Sequence, residues 1–448
     1  MLSFLFVFLL PLTVVRPRAG IYLLTFLLPF MPRYLGWGIG EEGLALSPRR
    51  IATFACLLGL AGLLILRSGL VDRLIVFMRQ NKFFFLILLA LYVAKASATV
   101  VNSGLSANLL YVIDDLIISW VPALGLLLFV RTVQDENLII VLIVVALAIT
   151  GSLALIEALK GSVLLQGLVE VSVEEAGIGG LADRIRGGFY RSKALFDNPL
   201  LLSEFICITW PWAMYLWAVG GRSTKYLLGL TAMVAAPATL FVTHARSGWL
   251  VFLFGIGTYA SLRLWGRSSH AGRLAMAILL SVAVIAMGGF AYEVLLDPTA
   301  YITAGAEGTS SLAERLNQYV VVGIAWTESP LLGYGMTRNF TQDLEFLNNL
   351  DSYWLRLVLE GGAVSVLLFA AMSAYILVTT FDEYASAPSI EYRRFMTAAF
   401  VSLLAFLLYK LFVSMPTNNA YFYIIAVLVL RRKYWRKRIF SDARIART

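Results

Sequence analysis

Apolar runs of roughly 20 residues recur along the whole chain and constrain its fold more than any other feature. Each run is long enough to cross a bilayer as an α-helix. Charged residues make up 14% of the chain, whereas a typical soluble domain has about 25%. β-Barrel strands would alternate polar and apolar residues, and these runs do not. The sequence therefore predicts an all-α, multi-pass membrane protein. The runs cover approximately 2–15, 19–31, 47–66, 83–101, 109–130, 138–158, 199–219, 226–243, 247–263, 275–292, 353–380, 396–414 and 419–431.

The first two runs are short, so the pattern predicts about 12 transmembrane helices, with 13 as the alternative. No small-residue cleavage site follows Leu10. The first run is therefore interpreted as a membrane segment and not as a signal peptide that is removed.

Lysines and arginines predict the orientation, because cytoplasmic connections carry an excess of them. The basic tail at 432–448 follows the last run directly and is predicted to be cytoplasmic. Counting back across the runs, the same side, with Arg263 and Arg431 at its boundaries, holds 22 of the 36 lysines and arginines. This bias explains the net charge of +9 without a nucleic-acid partner, and none is predicted.

The opposite, periplasmic side then receives two long loops, which divide the chain into six segments. Loops beyond about 15 residues are usually functional or disordered. We see no inverted repeat of the kind found in secondary transporters. The segments are N-terminal transmembrane helices (1–158), a loop with an arginine cluster (159–198), central transmembrane helices (199–292), a large loop (293–352), C-terminal transmembrane helices (353–431) and the basic tail (432–448).

Few residues in the sequence favour a metal or a disulfide. Cys56 and Cys207 both lie in apolar runs, and His244 and His270 are the only histidines. Asp114-Asp115 is the one acidic pair at which a metal-assisted reaction could be sited. No metal and no cofactor are predicted.

Four cations stand within ten residues at the end of the first periplasmic loop: Arg184, Arg186, Arg191 and Lys193. Arginine presents a planar fork of donors that matches phosphate oxygens. The cluster predicts a diphosphate or lipid-headgroup site, and the alternative is general attraction to anionic lipid. Asn198-Pro199 indicates the start of the next helix.

A second constellation, VTHARSGWL at 242–250, lies between two apolar runs. A charged residue at membrane depth, here Arg246, indicates a functional site, and the alternative is an arginine that snorkels to the interface. Ser247 could cap the following helix. His244 is either a general base or, more commonly for a lone histidine, a hydrogen-bonded bystander.

The second periplasmic loop carries the third constellation. Arg315 lies in a segment with helical spacing, and PLLGYG at 330–335 predicts a turn. Asp351 precedes the next apolar run, where it is either a helix N-cap or a base. Tyr353 and Trp354 are typical of an interfacial aromatic belt. Glu360, about two turns deeper, requires a partner such as Arg356.

The order of these motifs resembles the O-antigen ligase and O-antigen polymerase superfamily of bacterial membrane glycosyltransferases, over about residues 180–365. Two positions of the last motif depart from the family, because Asp351 and Ser352 stand where its ligases have His-Asn. The matching positions are Arg184, Gly187, Phe189, Asn198 and Pro199; Thr243, Ala245, Arg246, Ser247 and Gly248, in altered order; Ser311, Arg315, Leu316, Pro330, Gly333 and Gly335; and Leu355, Glu360 and Gly362.

The resemblance implies a GT-C-like fold in the bacterial inner membrane with an active site that faces the periplasm. Members transfer a glycan from an undecaprenyl-diphosphate carrier to a glycan or lipid acceptor without a nucleotide sugar. Ligases attach it to lipid A–core, whereas polymerases join repeat units of O-antigen or exopolysaccharide and can work with a chain-length regulator.

The departure at Asp351 favours a polymerase, with a ligase as the alternative and a lipid-linked oligosaccharide flippase as the alternative of another class. The predicted catalytic residues are Asp351, Arg315 and Arg246. The predicted diphosphate-binding residues are Arg184, Arg186, Arg191, Arg246 and Arg315.

Overall fold

The computed structural model of the protein describes residues 6–32, 46–103, 109–164, 185–186, 189–221, 223–265, 310–336 and 350–445. These residues are helical almost throughout, which confirms the all-α class. The helices are α1 (Leu9–Val15), α2 (Pro17–Leu27), α3 (Pro48–Leu66), α4 (Ser68–Gln80), α5 (Lys82–Ser103), α6 (Leu109–Phe129), α7 (Val133–Lys160), α8 (Pro199–Val219), α9 (Thr224–Thr243), α10 (Arg246–Trp265), α11 (Ser310–Glu328), α12 (Tyr353–Ala385), α13 (Ile390–Tyr409) and α14 (Asn419–Ile445). The one strand pair among the described residues is an antiparallel hairpin of β1 (Ile185–Arg186) and β2 (Phe189–Tyr190).

Eight of the described helices are long and apolar enough to cross a bilayer: α3, α5, α6, α7, α8, α9, α12 and α13. The predicted runs at 247–263 and 419–431 are also helical, as α10 and α14. The predicted run at 275–292 lies outside the described residues. The chain is thus a multi-pass membrane protein, and the count of about 12 spans stays a prediction.

Helix starts follow local sequence signals. The side-chain oxygen of Asn198 accepts a hydrogen bond from the backbone N–H of Leu201 at 2.8 Å, and Pro199 occupies the first helical position of α8. This confirms the predicted helix start at Asn198-Pro199. α7 begins with a capping box between Thr132 and Asp135 and ends at Gly161 in the left-handed conformation.

The centre of the bundle is formed by α8, α13 and the first half of α14. α8 packs against α9 and α13, α14 packs against α6, and α12 packs against α5. Residues 420–430 of α14 are all buried, because neighbouring helices surround this segment. The two cysteines are free and buried.

Helix α4 occupies a segment that the sequence analysis treated only as a connection. Leu70 and Phe77 are buried on the same face of the helix, about two turns apart, and Leu74 between them is partly buried. Apolar residues at this spacing form one stripe of a helix. Val71 and Val76 on other faces are exposed. α4 is too short and carries too many charges to be predicted as a transmembrane helix, so hydropathy alone does not identify it.

Helix α12 is broken one third of the way along. Gly361 (φ −147°, ψ 15°) and Gly362 (φ +59°, ψ −163°) leave helical geometry. The turn at 330–335 packs into this break: the backbone N–H of Ala363 donates to the carbonyl of Pro330 at 2.9 Å, and that of Tyr334 donates to the carbonyl of Leu359 at 2.6 Å. The predicted turn at PLLGYG is confirmed, and it closes the backbone hydrogen bonding of the broken helix.

Candidate active site

The arginine cluster of the first periplasmic loop is described only at its end. Arg184 lies outside the described residues, and Arg186 belongs to β1 with its side chain outside them. Arg191 follows β2 and is described fully. Its Nε donates to the backbone carbonyl of Thr243 at 3.1 Å, and the N–H of Ser192 donates to the carbonyl of Val242 at 2.9 Å. The structure thus joins the cluster to the second constellation.

A buried carboxylate, Glu157 near the end of α7, fixes the chain around Arg191. Glu157 is fully buried. It accepts hydrogen bonds from the hydroxyls of Tyr190 and Ser192, both at 2.7 Å. It also accepts from the backbone N–H groups of Lys193 at 3.0 Å and Ala194 at 2.5 Å. A buried carboxylate is stable only when donors surround it, so this one acceptor and the loop segment hold each other in place.

The turn between α9 and α10 presents Arg246 to the outside. His244 adopts a left-handed conformation with φ +49°, and α10 begins at Arg246, which is exposed. The ring of His244 stacks on that of Phe189, with centroids 5.3 Å apart. This packing favours the bystander interpretation of His244. Ser247 lies inside the first turn of α10 and not at the N-cap position. We call residues 189–194 and 243–247 the arginine half.

Asp351 lies directly before α12, beside α11. The N-cap of α12 is Ser352, one residue later, and its side chain makes no capping hydrogen bond. The backbone N–H of Asp351 donates to Oε1 of Gln318 on α11 at 3.0 Å. Arg315 precedes Gln318 by three residues in α11. Its side chain lies outside the described residues. The helix predicted around Arg315 is confirmed as α11.

The segment after α13 anchors the start of α12. The carbonyl of Lys410 accepts from the N–H of Tyr353 at 2.9 Å and from Oγ of Ser352 at 3.4 Å. On the preceding residue, the hydroxyl of Tyr409 accepts from Oγ of Ser247 at 3.5 Å. Two consecutive residues therefore contact both constellations. We call residues 350–362 and 409–419 the carboxylate half.

An ion pair that the sequence analysis missed connects this half to α8. Nζ of Lys410 is 2.9 Å from Oε1 of Glu204, and both side chains are fully buried. Asn418 donates to the other carboxylate oxygen of Glu204 at 2.8 Å. The sequence does contain a signal for this pair: Glu204 and Lys410 each lie inside an apolar run, where a charged side chain requires a partner. A second buried pair joins Lys95 to Asp115 at 3.1 Å.

Tyr353 corrects one prediction. It is 4% exposed and does not lie in an interfacial belt. Its hydroxyl accepts from Nδ2 of Asn419 at 3.3 Å, and the ammonium of Lys410 lies 5.1 Å from its ring centroid. Trp354 beside it is partly buried and packs on Phe369, with centroids 5.2 Å apart. The tyrosine turns inward because Asn419 and Lys410 offer polar partners to its hydroxyl and ring inside the bundle.

The acidic residues that the sequence analysis singled out as a metal site or as requiring a partner have cationic partners. Glu360 pairs with Nε of Arg356 at 2.5 Å, as predicted. Asp114 is bound by Nε and Nη2 of Arg50 at 2.9 and 2.6 Å. Asp115 pairs with Lys95. Within the part of the chain that the structure describes, no three His, Cys, Asp or Glu side chains come together as a metal site.

Two glycines let the turn at 330–335 pack closely against the carboxylate half and α5. A Cβ on Gly333 (φ +65°) would lie 2.4 Å from the carbonyl oxygen of Leu359, and one on Gly335 (φ +83°) would lie 2.5 Å from Cα of Thr99. Tyr334 between them donates to Glu328 at 2.8 Å. Burial and this hydrogen bond raise the pKa of Tyr334 to about 12, so the phenol stays protonated as a donor.

α8, α10, α12 and α14 are among the described helices that begin at this end of the bundle. Side chains link the segments around these starts: Nδ2 of Asn198, the N-cap of α8, is 3.7 Å from the sulfur of Met415, and the hydroxyl of Ser203 in α8 is 3.0 Å from that of Thr243 at the end of α9. A helix N-terminus carries a partial positive charge of roughly half an elementary charge. These termini, with Arg191 and Arg246, contribute positive charge at the end of the bundle where Asp351 also lies.

The family model described as O-antigen ligase matches residues 231–370 of this chain. No curated protein matches the chain. The matched range contains Arg246, Arg315 and Asp351, whereas Arg184, Arg186 and Arg191 precede it. The family consists of glycosyltransferase-like enzymes of lipopolysaccharide biosynthesis. The match confirms the resemblance to the O-antigen ligase and polymerase superfamily over residues 231–370 of this multi-pass membrane protein.

Proposed function

We propose that this protein is an inverting glycosyltransferase that joins oligosaccharide repeat units carried on undecaprenyl diphosphate. It acts at the periplasmic face of the bacterial inner membrane and builds O-antigen or exopolysaccharide. The observation that carries the proposal is the meeting of the arginine half and the carboxylate half at Tyr409-Lys410. There a cationic region suited to a diphosphate adjoins a carboxylate suited to a proton transfer.

The arginine half binds the donor diphosphate in this proposal. Arg246 is exposed at the start of α10, and Arg191 is held beside it through the carbonyl of Thr243. Guanidinium groups form charge-assisted, bidentate hydrogen bonds with phosphate oxygens. The sequence adds Arg184, Arg186 and Arg315 to the same role. These groups stabilise the negative charge that builds on the diphosphate as it leaves.

Asp351 acts on the acceptor. Its carboxylate takes the proton from an acceptor hydroxyl, whose oxygen attacks the anomeric carbon of the donor sugar. The bond between that carbon and the diphosphate oxygen breaks, and undecaprenyl diphosphate leaves with the electron pair. Attack from the opposite face inverts the anomeric configuration. A diphosphate is a good leaving group, so the arginines take the place of a metal ion.

Polymerisation is the preferred reaction because Asp351 stands where the ligases of the superfamily have a histidine. The second candidate is a ligase that transfers the glycan to lipid A–core, and the match to the O-antigen ligase family favours it. A lipid-linked oligosaccharide flippase, from another functional class, would not require the carboxylate beside the arginines.

Purified protein supplied with a synthetic undecaprenyl-diphosphate-linked repeat unit tests the proposal. The reaction contains a chelator and no nucleotide sugar, and the products are separated by chain length. Longer chains on the carrier are expected. Transfer only to added lipid A–core would replace the polymerase with the ligase. Absence of any product, together with movement of the lipid across reconstituted vesicles, would overturn the enzyme in favour of a flippase.

A further inference from the structure

A cavity of about 190 Å³ lies at the opposite end of the bundle from the candidate active site. It is formed where α10 and α12 end and α13 begins. Its lining combines three arginines with an apolar wall: Arg263, Arg393, Arg394, Leu262, Ile390, Tyr384 and Thr397. Along α10, the 17 residues from Arg246 to Arg263 correspond to about 25 Å. The cavity therefore belongs to the face that the positive-inside bias predicts to be cytoplasmic.

The three guanidinium groups of the cavity lack carboxylate partners within the described part of the chain. Arg263 lies 5.4 Å from the ring centroid of Tyr259, and Arg394 donates to the carbonyl of Ala218. Described salt bridges involve other residues. Three cations at one cavity without an anion among them repel each other, so an anion from outside would stabilise the arrangement.

The carboxylates on neighbouring turns are directed to other groups. Glu383 binds Nη2 of Arg436 at 2.8 Å and the hydroxyl of Tyr392 at 2.5 Å. Glu391 accepts from the hydroxyl of Tyr215 at 3.3 Å. Asp382 is exposed to the outside. The acids on these two helices therefore leave the positive charge of the cavity available to a ligand.

The size and surroundings of the cavity favour a lipid headgroup. Pockets that enclose drug-sized molecules measure roughly 300–1,000 Å³, so this one admits a phosphate group with its glycerol and not a whole lipid. A large apolar side chain of the lining, Ile390, is 69% exposed, and Leu264, next to Arg263 in the chain, is 59% exposed. Acyl chains could lie against these side chains while the headgroup enters the cavity.

We infer that this cavity binds the phosphate of an anionic phospholipid from the cytoplasmic leaflet through Arg263, Arg393 and Arg394. Basic pockets between transmembrane helices on the cytoplasmic side are typical headgroup sites. The bound lipid would bridge the ends of α10, α12 and α13. Because α10 and α12 begin at the candidate active site, this contact would fix both helices at the end remote from the chemistry. The inference stands independently of the proposed function.

Photo-crosslinking of the full-length protein with a diazirine analogue of phosphatidylglycerol tests the inference. Peptide mapping is expected to find label at the end of α10 and the start of α13. The double variant Arg263→Gln/Arg393→Gln keeps the contact between Arg394 and Ala218. It should weaken phosphatidylglycerol binding at these positions about 30-fold. The matched control Arg67→Gln/Arg79→Gln removes two exposed arginines beside α4 and should leave the label unchanged.

Three outcomes would overturn the assignment. They are equal labelling of the double variant and the wild type, equal labelling by a phosphatidylcholine analogue, and complete displacement of the lipid by millimolar inorganic phosphate, which would indicate a free-anion site. If the double variant does not fold, the single variant Arg393→Gln, at an exposed side chain, serves the same comparison. Its labelling should fall about fivefold, and unchanged labelling would count against the inference.

Discussion

In the arginine half, four hydrogen bonds of residues 190–194 converge on one buried acceptor, Glu157, whereas the carboxylate half is held by an ion pair, backbone hydrogen bonds and glycine packing together. Glu157 gathers four donors from residues 190–194. In the carboxylate half, Lys410 binds Glu204 while its carbonyl holds the N–H of Tyr353. A segment whose hydrogen bonds converge on one acceptor can open locally when that acceptor is lost, whereas a segment held by several kinds of contact with the core opens only with the whole domain. The difference predicts that the arginine half can open while the carboxylate half stays folded.

Breaking the ion pair of the carboxylate half should have the largest effect on stability. The change Lys410→Met leaves the carboxylate of Glu204 buried without a cation, which costs about 3–5 kcal/mol in the free energy of unfolding. Equilibrium unfolding in mixed micelles measures it. The double variant Lys410→Met/Glu204→Gln removes both charges and should recover a large part of the loss. Equal losses in the single and double variants would mean that the pair is not coupled.

Gly362→Ala tests the packing of the same half and should cost about 2–4 kcal/mol in the free energy of unfolding. Gly362 has φ +59°, and a Cβ there would lie 2.3 Å from the backbone of Leu331. Backbone atoms cannot rotate away as a side chain can. Gly62→Ala in α3 is the control, because a Cβ there meets nothing within 4 Å. It should be neutral or stabilising by up to about 1 kcal/mol. Matching behaviour of the two variants would contradict the docking of the turn.

Glu157→Gln should loosen the arginine half alone. The amide cannot accept four hydrogen bonds, and we expect a cost of about 1–3 kcal/mol. Hydrogen exchange should accelerate at residues 189–194 and remain slow at 350–362. Tyr190→Phe deletes one of the four donors and should cost about 1 kcal/mol. Exchange that accelerates equally in both halves would show that they are one cooperative unit, against the comparison.

His244→Asn should have the smallest effect. Asparagine tolerates the left-handed backbone at this position, and the loss of stacking on Phe189 costs about 0.5–1.5 kcal/mol. Glycan transfer by the purified variant should stay near the wild-type rate, because the histidine packs and does not react. A loss of about 100-fold or more would instead indicate general acid–base catalysis by His244.

Local features of the fold could be predicted from the sequence. The start of α8 at Asn198-Pro199, the turn at 330–335 and the pairing of Glu360 with Arg356 each depend on residues close in the chain. The burial of Tyr353 and the break at Gly361-Gly362 could not be predicted, because both depend on what packs against α12.

The candidate site shows the same limit. The sequence identifies Arg246, Arg191 and Asp351 by residue type and predicted side of the membrane. It does not reveal that Ser247 contacts Tyr409, or that Lys410 pairs with Glu204, which lies 206 residues earlier in the chain. Such pairs follow from how α8, α10 and α13 pack, which apolar runs do not specify. Arg184, Arg186 and Arg315 keep their predicted roles on sequence grounds.

The separate roles proposed for the two halves are tested most directly by measuring donor binding and glycan transfer independently. Binding of a labelled undecaprenyl-diphosphate-linked repeat unit and single-turnover transfer are compared for Arg246→Gln and Asp351→Asn. We predict that Arg246→Gln weakens donor binding about 10- to 100-fold. Asp351→Asn should bind the donor as the wild type does and slow transfer about 10²- to 10⁴-fold. Transfer at the wild-type rate by Asp351→Asn, or unchanged donor binding by Arg246→Gln, would contradict the account.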